Sequence, residues 1–124
     1  MATILVVDDD AALRMLYEEE LANEGWDIIL AGSGEEALKW LSDGKPDVVV
    51  LDIRMEGIDG LETLQRIMTA DKSIPVILNT AYGSYQDDFR TWAADAYIVK
   101  SSDLRELKTT IHKILQSDSA DQDD

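Results

Sequence analysis

Five short apolar runs, each followed by a stretch with helical spacing, restrict this chain to one class of fold more tightly than any other feature. The runs occupy residues 4–7, 27–31, 48–51, 76–78 and 96–99. They are rich in β-branched residues and do not alternate with polar ones, as expected of strands covered on both faces. Between and after them, Leu13/Leu16/Tyr17, Ala37/Trp40/Leu41, Leu61/Leu64/Ile67/Met68, Tyr85/Phe89/Trp92 and Leu104/Leu107/Ile111/Ile114/Leu115 recur at helical intervals. A β-α unit repeated five times predicts an α/β fold, a three-layer doubly wound parallel sheet between helices. Asp10, Ser33 and Asp59 are placed to cap the first three helices, the last two with a Glu three residues on, and Ser102 or Asp103 to cap the fifth. Gly44 and Pro46 stop the second helix. The fourth helix has the weakest signal, since Gly83 and Ser84 open it and Asp87-Asp88 sits inside it.

At 124 residues there is room for one domain and little more. The expected unit is residues 1–116. Residues 117–124, Ser-Asp-Ser-Ala-Asp-Gln-Asp-Asp, offer nothing to bury and are expected to form a disordered acidic tail. A formal charge of −15 sets the surface against phosphate backbones and anionic membranes, so neither direct nucleic-acid nor membrane binding is expected. With no cysteine and one histidine, thiol nucleophiles and Cys/His zinc sites are excluded. Any metal ligands must be oxygens. No apolar run approaches membrane-spanning length and no signal-peptide pattern opens the chain, so a cytoplasmic location is expected.

In an open parallel sheet, functional groups collect beyond the carboxyl ends of the strands. Here those ends carry Asp8-Asp9-Asp10, Asp52, Asn79-Thr80-Ala81 and Lys100. Neighbouring strands lie roughly 4.8 Å apart, so Asp52 meets Asp8 and Asp9 if the first and third strands pair. Two such charges at about 4 Å repel by about 4 kcal/mol at an effective dielectric of 20. A hard divalent cation held by oxygens relieves this, and Mg²⁺ suits a sparse, partly hydrated carboxylate site. A carboxylate beside Mg²⁺ and a lysine is a competent nucleophile toward a phosphoryl group, and the product is an aspartyl phosphate. Thr80 can then donate its hydroxyl to the modified side chain, which makes the reaction a switch.

These residues in this order resemble the receiver domain of two-component response regulators, the stand-alone chemotaxis and sporulation regulators included. The likeness rests on Ile4-Leu5-Val6-Val7-Asp8-Asp9-Asp10, Asp47 to Met55 with Gly57-Ile58-Asp59-Gly60 following, Thr80-Ala81, and Asp95-Ala96-Tyr97-Ile98-Val99-Lys100. The resemblance implies a flavodoxin-like sheet of order 2-1-3-4-5. It makes Asp52 the phosphoacceptor, Asp9 a direct Mg²⁺ ligand, Asp8 a ligand through water, and the backbone carbonyl of Arg54 the third protein ligand. It makes Lys100 the phosphoryl-binding cation and Thr80 with Tyr97 the pair that moves on phosphorylation. The implied donor is a histidine kinase or a phosphotransfer protein. The implied output is an effector protein bound by the face of the fourth helix, fifth strand and fifth helix, the chain being a monomer or a phosphorylation-dependent homodimer. Such a chain is a signalling phosphoacceptor that catalyses only its own phosphorylation and dephosphorylation, with no output domain of its own here.

Two positions depart from the family pattern. Ser101 follows Lys100 where the family has a cis proline, so the loop is either strained or reshaped. Glu56 replaces a proline after Met55, adding flexibility and charge beside an acidic pocket. Arg54 and Tyr82, two residues after the phosphoacceptor and after the switch threonine, are bulky enough to obstruct an in-line water, which predicts slow hydrolysis of the phosphorylated form. Tyr82, Tyr85, Phe89 and Trp92 form either core or an exposed partner surface, and His112 is a helix-surface residue. An Asp-nucleophile phosphatase would carry a second Asp where Arg54 stands, and a flavin-phosphate site needs a Ser/Thr/Gly-rich loop where the Asp run lies. A pseudo-receiver that keeps the fold without the chemistry is the remaining alternative.

Overall fold

The computed structural model describes the backbone of residues 1–123 and the side chains of residues 1–117. Strands β1 (Thr3–Val7), β2 (Asp27–Ala31), β3 (Val48–Leu51), β4 (Val76–Thr80) and β5 (Ala96–Val99) form one sheet. Its order is β2-β1-β3-β4-β5 and every pairing is parallel, so the expected topology holds. The helices are α1 (Ala11–Ala22), α2 (Gly34–Asp43), α3 (Gly60–Ala70) and α4 (Arg105–Asp123). The last of these is the fifth helix of the sequence pattern. Its backbone runs past Gln116 to Asp123. The expected disordered tail over 117–124 lies outside the described residues for the side chains of 118–123 and for all of Asp124.

The fourth helix is corrected. Two 3₁₀ turns, Gly83–Asp87 and Phe89–Ala93, replace it. Asp88 explains the break: it is extended, and its side chain accepts from the Arg90 backbone N–H, so it ends one turn and caps the next. Phe89 and Trp92 therefore fail to bury, at 73% and 75% exposure, while Tyr85 packs on the core.

Period-two alternation along each strand divides the core between the two faces. Leu5, Val7, Val49, Leu51, Val76 and Leu78 pack with Leu61, Leu64 and Ile67 of α3 and Ala37 of α2. Ile4, Val6, Val48, Val50, Ile77 and Ile98 pack with Tyr17 and Leu21 of α1 and Leu107 and Ile111 of α4. Asp10 caps α1 through the N–H groups of Ala12 and Leu13, Ser33 caps α2 through Glu36, and Asp59 caps α3 through Glu62, as the sequence predicts. Asp103 accepts from the Arg105 N–H at the start of α4. Trp26 packs against His112 with the rings tilted by 52° and their centroids 4.6 Å apart, and His112 Nε2 lies 2.8 Å from Glu24 Oε1, so this histidine ties α4 to the turn before β2. Among the described residues no helix is long and apolar enough to cross a membrane.

Candidate functional site

Register brings the charged strand ends together. Val7 pairs with Leu51 and Leu51 with Leu78, and Thr80 pairs with Val99, so the residues that follow share one edge. The backbone continues the ladder one step: the Asp52 N–H donates to the Val7 carbonyl at 3.0 Å, and the Lys100 N–H to the Thr80 carbonyl at 2.7 Å. Asp8, Asp9 and Asp52 each turn a carboxylate oxygen to within 4.8 Å of the others. Asp8 and Asp52 are buried at 2% and 6% exposure, while Asp9 is exposed.

One ammonium compensates two buried carboxylates. Lys100 Nζ lies 2.7 Å from Asp8 Oδ2 and donates to Asp52 Oδ2 at 2.9 Å. Burial pushes the Asp52 carboxyl up, the Lys100 hydrogen bond and charge oppose that, and Asp8 adds to it. Burial alone would lower Lys100; the two carboxylates outweigh it and hold the ammonium well above its ordinary value. Asp8 is fixed from both ends, its Oδ1 accepting the Asp10 N–H at 2.9 Å and its carbonyl accepting Arg14 Nη1 at 2.7 Å. No periodicity or motif in the sequence marks that role of Arg14.

The remaining expected residues lie around this cluster. Thr80 is fully buried, and its Oγ1 accepts the Tyr82 N–H at 3.4 Å. The Tyr97 hydroxyl donates to the Tyr82 carbonyl. The Arg54 guanidinium sits 4.8 Å from the centroid of the Tyr82 ring, a cation–π contact between the loop after β3 and the loop after β4. Beside the carboxylates opens a cleft of about 340 Å³ lined by Asp9, Ile53, Arg54, Glu56, Asp59 and Tyr85. All the peptide bonds are trans among the described residues, so Lys100–Ser101 turns without a cis bond and the loop is reshaped. Gly60 is required by packing, since a Cβ there would fall 2.0 Å from the Asp52 carbonyl oxygen.

A buried polar pair beneath the cluster was not read from the sequence. Asn79 Nδ2 donates to the Tyr17 hydroxyl at 3.0 Å, and both residues are buried. Asn79 stood out as a polar strand end, but Tyr17 sits at a helix position whose spacing reads as plain core.

The three carboxylates form a hard, all-oxygen donor set beside a fixed cation, which fits Mg²⁺. A doubly wound five-stranded sheet with acids and a lysine at its carboxyl edge defines a class of signalling and nucleotide-binding folds, and comparison narrows it. Residues 4–112 match the response regulator receiver domain, and the chain belongs to that family. The response regulator TrrA of Thermotoga maritima, solved in complex with Mg²⁺-BeF, is 49% identical with a TM-score of 0.90 over 93% of this chain and 100% of its own. TrrA has also been solved in complex with the histidine kinase ThkA. Sporulation initiation phosphotransferase F of Bacillus subtilis is 34% identical over 90% of this chain and 92% of its own length. The transcriptional regulatory protein TrcR of Mycobacterium tuberculosis is 38% identical over 94% of this chain. The chain spans about half the length of the first curated relatives it matches, 46% of TrcR and 45% of the ycf27 regulator of Guillardia theta.

Proposed function

We propose that this receiver domain is phosphorylated on Asp52 by a histidine kinase or a phosphotransfer protein, in a Mg²⁺-dependent reaction, and that the modified state changes partner binding. The observation that carries the reading is the single ammonium of Lys100 shared between the buried carboxylates of Asp8 and Asp52. Such a site is short of positive charge by design, and a phosphoryl group with its metal restores the balance.

In the reaction a carboxylate oxygen of Asp52 forms a bond to phosphorus as the bond from phosphorus to the donor imidazole nitrogen breaks, and that nitrogen keeps the electron pair. Asp8, Asp9, Asp52 and the backbone carbonyl of Arg54 would hold Mg²⁺, Asp8 through water. The chemistry a bound Mg²⁺ supplies is charge neutralisation on the phosphoryl oxygens. Lys100 leaves Asp52 for a phosphoryl oxygen and keeps its tie to Asp8. Thr80 turns its hydroxyl to the phosphoryl group, giving up the Tyr82 N–H that it now accepts. Tyr97, bonded to the carbonyl of the same Tyr82, senses that movement.

The readout face is β5 with the preceding 3₁₀ turns and α4, where Tyr82, Phe89, Trp92 and Val99 are exposed. An effector protein, or a second phosphorylated copy, binds there. The working unit is residues 1–116, and it acts in the cytoplasm. Intact-mass analysis after incubation with Mg²⁺ and acetyl phosphate, beside Asp52→Ala, tests the reading. One added phosphate on the wild type alone supports it. No addition, with Mg²⁺ bound, makes the chain a pseudo-receiver.

A further inference from the structure

The loop between β3 and α3, residues 52–59, carries Arg54 and Glu56 and is held from outside the site. Glu35, in the first turn of α2, accepts the Ile58 N–H on Oε1 at 3.2 Å. Its carboxylate also lies against Gly57: a Cβ there would fall 2.8 Å from Glu35 Oε2 and push that side chain aside, and with a φ of +80° the backbone at Gly57 favours glycine. Gly34, the preceding residue, is pressed as closely, since its Cβ would meet Ile58 at 2.7 Å and Thr63 Oγ1 at 2.1 Å. The start of α2 is thus a fixed abutment for this loop. On the loop's other side, the Glu56 N–H reaches Asp9 Oδ2 at 3.3 Å. A proline at position 56, as in the family pattern, has no such donor.

We propose that Glu35 is a positioning residue for the cation site, acting through the loop on Asp9. A carboxylate has two oxygens to give. With Oδ2 held by the loop, Asp9 keeps its other oxygen for a cation while its carboxylate stays within reach of Asp8 and Asp52. Ligand orientation by a partner that does not touch the metal is a common determinant of affinity. The route here runs from α2 through Ile58 and Gly57 to Glu56 and then Asp9. Glu35 itself is exposed and caps nothing, that task falling to Ser33. The inference rests on Mg²⁺ binding at the Asp cluster as proposed above.

Calorimetric titration of the metal-free protein with MgCl₂ tests it, using wild type, Glu35→Gln, Glu35→Ala and Gly57→Ala, with urea unfolding in EDTA as a check on folding. Glu35→Gln removes the charge and keeps an acceptor for Ile58, so affinity falls by less than about threefold, the screened share of one exposed charge. Glu35→Ala removes the anchor as well and weakens Mg²⁺ binding by about tenfold, the low end for residues that orient a ligand. Gly57→Ala also weakens it, and does so less in a Glu35→Ala background, where the crowding carboxylate is gone. Equal affinities for wild type and Glu35→Ala, or equal losses for Gln and Ala, overturn the positioning role. If the wild type binds no Mg²⁺, the metal reading itself fails and this inference with it.

Discussion

Replacing Lys100 by methionine removes the cation that bridges two buried carboxylates and keeps the aliphatic volume of the stem. Asp8 and Asp52 hold ligand oxygens within 4.8 Å of each other, and their side chains are 3% and 8% exposed. At an effective dielectric of about 20, two unit charges at that spacing repel by about 3.5 kcal/mol. Losing one partner of a buried ion pair costs about 3–5 kcal/mol for the same reason. A loss of about 3 kcal/mol in the metal-free protein near neutral pH follows. With a urea slope of about 2 kcal/mol/M, the midpoint falls by roughly 1.5 M. The pH dependence separates this cause from a packing defect. In the wild type Lys100 is raised above its ordinary 10.5, so its contribution is complete below that value and is lost only as pH rises beyond it. Between about pH 5 and 8 it is constant. In Lys100→Met the repulsion raises one carboxyl further, so the variant regains stability as pH falls toward the carboxylate range and loses it as pH rises. Saturating Mg²⁺ restores part of the loss at neutral pH. Urea unfolding of both proteins in EDTA at several pH values measures all of this. A variant as stable as wild type at neutral pH, or a deficit that does not change with pH, would refute the view that the ammonium offsets carboxylate repulsion.

Asp52→Asn blocks phosphorylation and stabilises the metal-free protein near neutral pH by about 1 kcal/mol, the scale for one desolvated polar group. Because burial raises Asp52, the wild type loses ground to the variant as pH rises from below the ordinary value of 3.8 through the raised one, and thermal melts in EDTA across that range check the sign. Arg54→Ala and Tyr82→Ala each break the cation–π contact between the two loops, so the phosphorylated form loses phosphate several-fold faster by intact mass; a rate unchanged from wild type in both counts against the shielding role. Gly60→Ala forces the start of α3 away from the Asp52 carbonyl and costs about 2–3 kcal/mol in urea unfolding, as overpacking of a fixed backbone does.

The strands were legible because a buried parallel strand needs an uninterrupted apolar run, and nothing else in this chain supplies one. The caps were legible because Asp10, Ser33 and Asp59 work within three residues of themselves. The fourth crossover was not. Tyr85, Phe89 and Trp92 keep helical spacing, yet Asp88 diverts the backbone locally, and a side chain that caps from mid-segment overrides a pattern that only packing could enforce. The grouping of Asp8, Asp9, Asp52, Thr80 and Lys100 at one sheet edge was legible because each stands at or just past a strand end. Arg14 on the Asp8 carbonyl, Tyr17 under Asn79 and Glu35 on the loop at Ile58 were not, since each contact joins elements whose relative placement only the folded sheet sets.

That placement also determines how a change at Asp52 can be felt elsewhere. The loops after β3 and β4 meet at one aromatic ring: Arg54 lies over Tyr82, and Tyr97 bonds its carbonyl. Thr80, two residues back, accepts its N–H. Both backbone polar groups and the ring of Tyr82 are therefore engaged by residues that border Asp52 or the fifth strand. A shift of Thr80 toward a modified Asp52 frees the Tyr82 N–H, and a shift of Arg54 frees its ring. On the proposed function, either would displace the segment that begins at Gly83, whose two 3₁₀ turns have i to i+3 bonding and no helical run to resist. The exposed Phe89 and Trp92 ride on that segment. If Asp52 and the aromatic surface are coupled as proposed, Tyr97→Phe, which leaves the Tyr82 carbonyl unheld while keeping the ring, weakens that coupling, read as a smaller change in Trp92 fluorescence on incubation with Mg²⁺ and acetyl phosphate than in the wild type.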